Sequence, residues 1–187
     1  MSVQFARQHY FTVSEYERMG QTGVFAPDAR VELIEGEIIE MSPIGSPHAA
    51  CVELAAEIIR QQVRGRFLVR TQNPIVLDDF SEPQPDIAVL KLRKDFYRAA
   101  HPRPGDVLLV VEVSDTTLQF DRQVKIPLYA RAGILEALIF NLQDEQLEYY
   151  SQPETAGYRV TQILKRGEQV KSMIVKEVVL NVDEIFG

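Results

Sequence analysis

The chain has a single cysteine, Cys51, among its 187 residues. One thiol can neither close an internal disulfide nor supply a Cys-based zinc framework. Its place between Ala50 and Val52 in an apolar-periodic stretch reads as a small buried hydrophobe. No stretch approaches the roughly 20 apolar residues that span a bilayer, and MSVQFARQHYFTV has no signal-peptide core. The expected location is the cytoplasm. Positive charge is also scarce: 20 Lys+Arg against 27 Asp+Glu give a formal charge of −7. That excludes a uniformly basic DNA-coating protein, though not a local basic groove. What remains, 45% hydrophobic and 25% charged residues, is the composition of a soluble globular chain with a sizeable core. The length predicts one domain, 1–187.

Thr12 followed by Glu15 is a capping-box pattern opening a short helix from Val13 to Met19. VELIE, Gly36 and EIIEM predict a tight hairpin over Val31–Met41. After Ser46-Pro47, apolar residues at 51, 54, 55, 58, 59 and 63 predict an amphipathic helix ending near Gly65. Glu53, Glu57, Arg60 and Arg64 read as its solvated face. Strands are expected at Phe67–Leu77, Asp86–Leu90 and Val107–Val113, the last so apolar that both its faces should be covered. A helix from about Leu118 to Ala132, closed by Gly133, follows. Then come a hairpin of ALIFNL and QLEYY, weaker strands at Tyr158–Leu164 and Val170–Ile174, and a short turn or helix over Val182–Phe186. The order predicts a mixed α/β fold on one twisted sheet.

Two carboxylates resist a surface reading. Asp86 opens the apolar run IAVL after Pro85, and Glu112 lies inside VLLVVEVS. An isolated buried charge costs several kcal/mol, so each must be paired, hydrogen-bonded or bound to a cation. One reading is a buried salt bridge to Lys125 or Arg122. The other is a site for Mg²⁺ or Mn²⁺, which favour hard oxygen ligands. His9 and His101 sit in polar loop contexts and read as incidental.

QPDIAV around Asp86, VVEVSDTT around Glu112, DRQVKIPLYARAGILEALIF after them and RVELIEGEIIEMSPIGSPHAA before them form a set. From about Thr12 to Tyr150 this set resembles the Uma-type restriction-endonuclease family of the PD-(D/E)XK nuclease superfamily. The resemblance implies a restriction-endonuclease-like fold: a central mixed twisted β-sheet flanked by helices, with an extra β-hairpin region. The core would span about 12–150 and C-terminal strands 151–187. The superfamily pattern is Asp, then Glu or Asp, then Lys two residues on. Asp86 and Glu112 fill the first two places, but Ser114 stands in the third, on the Glu112 side by strand alternation. The resemblance moves the lysine into the following helix, at Lys125, with Asp121 four residues earlier on the same helical face. The alternative for Lys125 is an exposed helix lysine paired with Asp121. Pro127 either kinks that helix or marks its true start, and either outcome redirects Lys125.

Glu32 and Glu37 flank the hairpin turn, and by strand parity one could face the cleft; otherwise both are exposed hairpin charges. His48 begins a helix whose start approaches the metal in this superfamily, or else it is a capping or packing histidine. Ser114, Asp115 and Thr116 read most simply as a polar helix start. The implied chemistry is phosphodiester hydrolysis in DNA, with low sequence preference. Asp86, Glu112 and the carbonyl of Val113 would hold Mg²⁺ (or Mn²⁺), and Lys125 would orient water or offset developing charge.

A homodimer is expected, because two-fold assembly is the commonest, duplex cleavage needs two cuts, and ALIFNL with QLEYY offers a possible sheet edge. A reading from another class is a catalytically inactive nuclease-fold dimer acting as a binding or scaffold module. A weaker one is a metal-dependent enzyme acting on a small phosphorylated substrate. What separates them is whether Arg64, Arg66, Arg70, Lys91 and Arg93 gather at the cleft rim, since DNA needs such a track.

Overall fold

The computed structural model describes residues 8–187. Thr12 and Glu15 form the expected reciprocal cap, and helix α1 runs over Val13–Gln21. Strands β1 (Val31–Ile34) and β2 (Glu37–Glu40) pair antiparallel around Glu35 and Gly36, both at positive φ (50° and 83°). Two-residue hairpin loops favour that geometry. A Cβ at Gly36 would lie 2.6 Å from the Cβ of Tyr10, so glycine is required for space as well. Helix α2 (Ser46–Val63) carries Pro47 in its first turn, where the missing N–H is no loss. It stops as Arg64 and Gly65 turn left-handed (φ 47° and 73°).

Six strands form one sheet in chain order: β3 (Phe67–Thr71), β4 (Ile87–Lys91), β5 (Val107–Ser114), β6 (Glu136–Asn141), β7 (Gln146–Glu154) and β8 (Gly157–Leu164). Only β5 and β6 are parallel, and a helical crossover joins them, as parallel neighbours require. Ile87, Val89, Leu109, Val111 and Val113 pack against α2 on one face. Ala88, Leu90, Val110 and Ile139 pack against Ile126, Leu128 and Tyr129 on the other. Alternation along β5 therefore sends Glu112, the neighbour in parity of Val110, to the second face.

Four expectations are corrected. The third predicted strand ends at Thr71, not Leu77, because Gln72 turns left-handed (φ 51°) and Pro74 has no N–H to pair. The ALIFNL strand is no edge: β6 lies between β5 and β7, β7 is covered by β8, and the sheet's edges are β3 and β8. The weak strand at Val170–Ile174 is β9 (Gln169–Lys171), paired with an unforeseen β10 (Val179–Asn181) and followed by α5 (Val182–Phe186). The expected helix at Leu118–Ala132 is α3 (Leu118–Phe120), a π-helical turn (Asp121–Lys125) and α4 (Ile126–Arg131). Pro127 cannot donate to the Gln123 carbonyl, and one residue earlier the Ile126 N–H reaches five back to Asp121. Pro127 thus widens the helix by a turn rather than ending it.

Candidate active site

β5 outruns β4: the last pair is Ile87 with Val111, and Glu112 to Ser114 pair only with β6. On the edge thus left open, the Val113 N–H donates to Asp86 Oδ2 at 2.9 Å. The N–H and carbonyl of a strand residue point to the same edge, so the Val113 carbonyl shares this side. His48, from the first turn of α2, lies 3.1 Å from the same Asp86 oxygen, and the Gln72 side chain donates to Oδ1 at 3.2 Å. Asp86 thereby holds together the ends of β3, β4, β5 and α2. Burial raises its pKa, but His48, the Val113 amide and Lys125 outweigh that and hold it below the usual range.

Glu112 is 2% exposed and accepts a hydrogen bond from the Tyr129 hydroxyl. The ammonium of Lys125 lies 3.5 Å from both its oxygens and 3.2 Å from Glu32 Oε2. Lys125 is 6% exposed, so the exposed-lysine alternative is overturned; the π turn rotates it inward. Burial alone would lower its pKa, but Glu112, Glu32, Asp121 and Asp86 together raise it, so it stays charged. Burial raises the Glu112 pKa well above the carboxylate range, with Asp121, Asp86 and Glu32 adding to it and Lys125 opposing. Asp121 accepts from Ser114 (2.7 Å) and Thr117 (2.8 Å), and burial leaves its pKa raised.

The structure brings most of the sequence-predicted residues together. Asp86, Glu112, Val113, Lys125, Glu32, His48 and Asp121 line one cavity of about 330 Å³, and Ser114 supports it through Asp121. Glu37 does not join them: it is exposed and accepts from Gln8. Arg122, the other proposed cation, pairs instead with Glu148 at 2.5 Å. Sequence reasoning missed Gln72 and Tyr129. Nothing local marks Gln72, but Tyr129 stands four residues after Lys125, a same-face spacing that could have found it.

Arg64, Arg66, Arg70, Lys91 and Arg93, whose gathering at the rim would separate a duplex-binding enzyme from a scaffold, do not gather at this cavity. Phe67 pairs with Lys91 and Thr71 with Ile87, so Arg64, Arg66, Lys91 and Arg93 lie at the end of β3 and β4 away from Asp86. Arg66 pairs with Glu177 and Arg93 with Asp95, while Arg70 donates to Asn73. Arg30 and Lys125 are the lysine and arginine side chains in the lining.

Four carboxylates, Glu32, Asp86, Glu112 and Asp121, therefore surround one ammonium. This crowding of carboxyl groups, which adds to burial in raising the pKa of Glu112 and Asp121, and the hard oxygen donors on Asp86, Glu112 and Val113 fit a divalent cation, whose charge would let them ionise together. Glu112 Oε2 meets only Lys125, at 3.5 Å, and keeps capacity for a ligand. Among the described residues no three carboxylate, imidazole or thiol side chains form a ready metal cage. Mg²⁺ needs none, because it keeps several waters and binds through one or two carboxylates.

Compared with known families, residues 13–183 match Uma2, described as "Putative restriction endonuclease". Among solved structures, the crystal structure of a putative nuclease belonging to DUF820 from Anabaena variabilis ATCC 29413 superposes with a TM-score of 0.71. The two are 15% identical, over 94% of this chain and 97% of the other, which makes the likeness one of fold. No curated protein is a significant match.

Proposed function

Because this chain belongs to the Uma2 family, described as putative restriction endonucleases, we propose that it is a metal-dependent nuclease hydrolysing phosphodiester bonds in DNA. The observation that carries this reading is the convergence of Asp86, Glu112, Val113 and Lys125 on one cavity at the open end of β5. Asp86, Glu112 and the Val113 carbonyl would hold Mg²⁺ or Mn²⁺. When bound, such an ion supplies Lewis acidity at the phosphate and lowers the pKa of a water. Lys125 is held as a fixed cation by Glu32 and Glu112, and it offsets charge developing on the scissile phosphate. His48 and Gln72 orient Asp86, and Tyr129 orients Glu112. Val113, Phe120 and Ile39 in the lining limit water around the reacting atoms.

The test is incubation of native and heat-denatured plasmid DNA with Mn²⁺, wild type beside Asp86→Ala. Fragmentation of either substrate by wild type alone is expected. No fragmentation of either would overturn the reading in favour of the inactive scaffold.

A further inference from the structure

The acidic site and the distant basic residues bear on what the cavity can admit. Its floor is Asp86, Glu112 and Lys125, each under a tenth exposed, so a scissile phosphate must descend into the cavity to meet them. Two segments contribute much of the lining: Ile39 to Gly45, from β2 and the loop after it, and residues of the turn from Asp115 to Asp121. At about 330 Å³ the space is at the small end of the roughly 300–1,000 Å³ usual for ligand pockets. Both segments bring apolar groups to it: Ile39, Met41 and Ile44 from the first, Phe120 from the second. Ile44 is 40% exposed, and Phe120 also faces the neighbouring cavity beside Tyr10 and Phe80.

A duplex carries a phosphate charge about every 1.7 Å along its axis and is held by a track of lysines and arginines. Here the mouth offers Arg30, while Glu40 and Asp115 would face a second strand with like charge. A single strand brings half the phosphate charge of a duplex along its path, and its exposed bases gain from stacking on apolar and aromatic side chains.

We propose that the cavity takes a single DNA strand, threaded between Met41/Ile44 and Phe120, rather than an intact duplex. This rests on the nuclease reading above and deepens it. Arg30 would meet the backbone phosphate at the mouth, and Phe120 would stack against a base beside the scissile position.

The test is fluorescence anisotropy of the full chain with Ca²⁺, which occupies oxygen-ligand sites, using a labelled strand of about 15 nucleotides beside the same sequence as a duplex. The single strand should bind roughly 10-fold or more tightly, and Phe120→Ala should weaken it about 10-fold. Phe120 also touches the core, so Ile44→Ser, at an exposed position, serves as the second variant and should weaken the strand several-fold without lowering Tm. Duplex binding as tight as single-strand binding would overturn the proposal, as would unchanged affinity in both variants. Mn²⁺-dependent cleavage of the same oligonucleotides separates the two readings. Equal cleavage of strand and duplex sinks the single-strand proposal and leaves the nuclease standing; strand binding without any cleavage sinks the nuclease reading instead.

Discussion

Two glutamates on neighbouring strands are buried almost equally, Glu112 at 2% exposure and Glu136 at 1%, yet they are satisfied in opposite ways. Glu136 begins β6 and accepts from the hydroxyls of Tyr149 and Ser172 and the amides of Met173 (2.6 Å) and Ile174 (3.4 Å). All four donors are neutral, and two are backbone groups of the turn between β9 and β10. The carboxylate is saturated and fastens the C-terminal segment to the sheet. Glu112 has one hydroxyl and a share in one ammonium, with three more carboxylates nearby. A saturated buried network rigidifies, whereas a partly satisfied one stores repulsion that a cation or substrate can relieve. The comparison teaches that burial alone does not identify a functional carboxylate; the nature of its partners does.

The sharpest way to break this contrast is to neutralise each glutamate. Glu112→Gln should reduce DNA cleavage by about 10³-fold or more, since it removes a metal ligand. Its thermal midpoint should hold or rise because repulsion is relieved. Glu136→Ala should leave two hydroxyls and two amides without their acceptor and lower unfolding free energy by roughly 3–5 kcal/mol. Urea denaturation measures this, and cleavage per folded molecule should be unchanged. If Glu112→Gln destabilises the fold as severely as Glu136→Ala, the distinction fails.

Lys125 sharpens the comparison from the cation's side. Lys125→Ala should slow cleavage roughly 10²-fold while calorimetric Mn²⁺ affinity changes little, as expected for a group acting on the transition state. A collapse of Mn²⁺ binding would instead assign the lysine to organising the carboxylates.

Glu82 supplies a third case, with neither kind of partner. Its Oε2 is buried without a hydrogen bond, and His101 Nε2 is 3.8 Å from the other oxygen. Burial, with Glu17 adding, raises its pKa from 4.5 to about 7. A carboxyl whose folded pKa is raised stabilises most below the unfolded value and loses that contribution as pH rises through the folded one. Wild type should therefore lose roughly 1–3 kcal/mol between pH 4.5 and pH 8 from this group. Glu82→Gln should flatten that part of the profile in pH-dependent urea denaturation, and an unchanged slope would show that the group is free to ionise.

Much of this was legible locally. The Thr12–Glu15 cap, the Gly36 hairpin, the start of α2 and the apolar β5 depend on residues within a few positions of one another. Asp86 and Glu112 stood out because a carboxylate inside an apolar run has to be explained wherever the chain folds. The same reasoning could not choose between Glu32 and Glu37, since the hairpin register puts both on one face of β1 and β2, and only packing shows that Glu32 is covered while Glu37 is not. Nor could it place Lys125, because the effect of Pro127 on the helix depended on the turn around it.

The sequence by itself thus determined most of the order of elements, the mixed α/β class and the two carboxylates that needed a partner. Tertiary structure decided who the partners are. Gln72 reaches Asp86 across 14 residues, His48 across 38, and Lys125 meets Glu32 across 93. It also put Arg64, Arg66, Lys91 and Arg93 at the far end of β3 and β4, and gave Glu136 its donors from 13 to 38 residues away. The reason is physical: a side chain's need for a partner follows from its own chemistry and local burial, but the identity of that partner follows from which distant elements pack together.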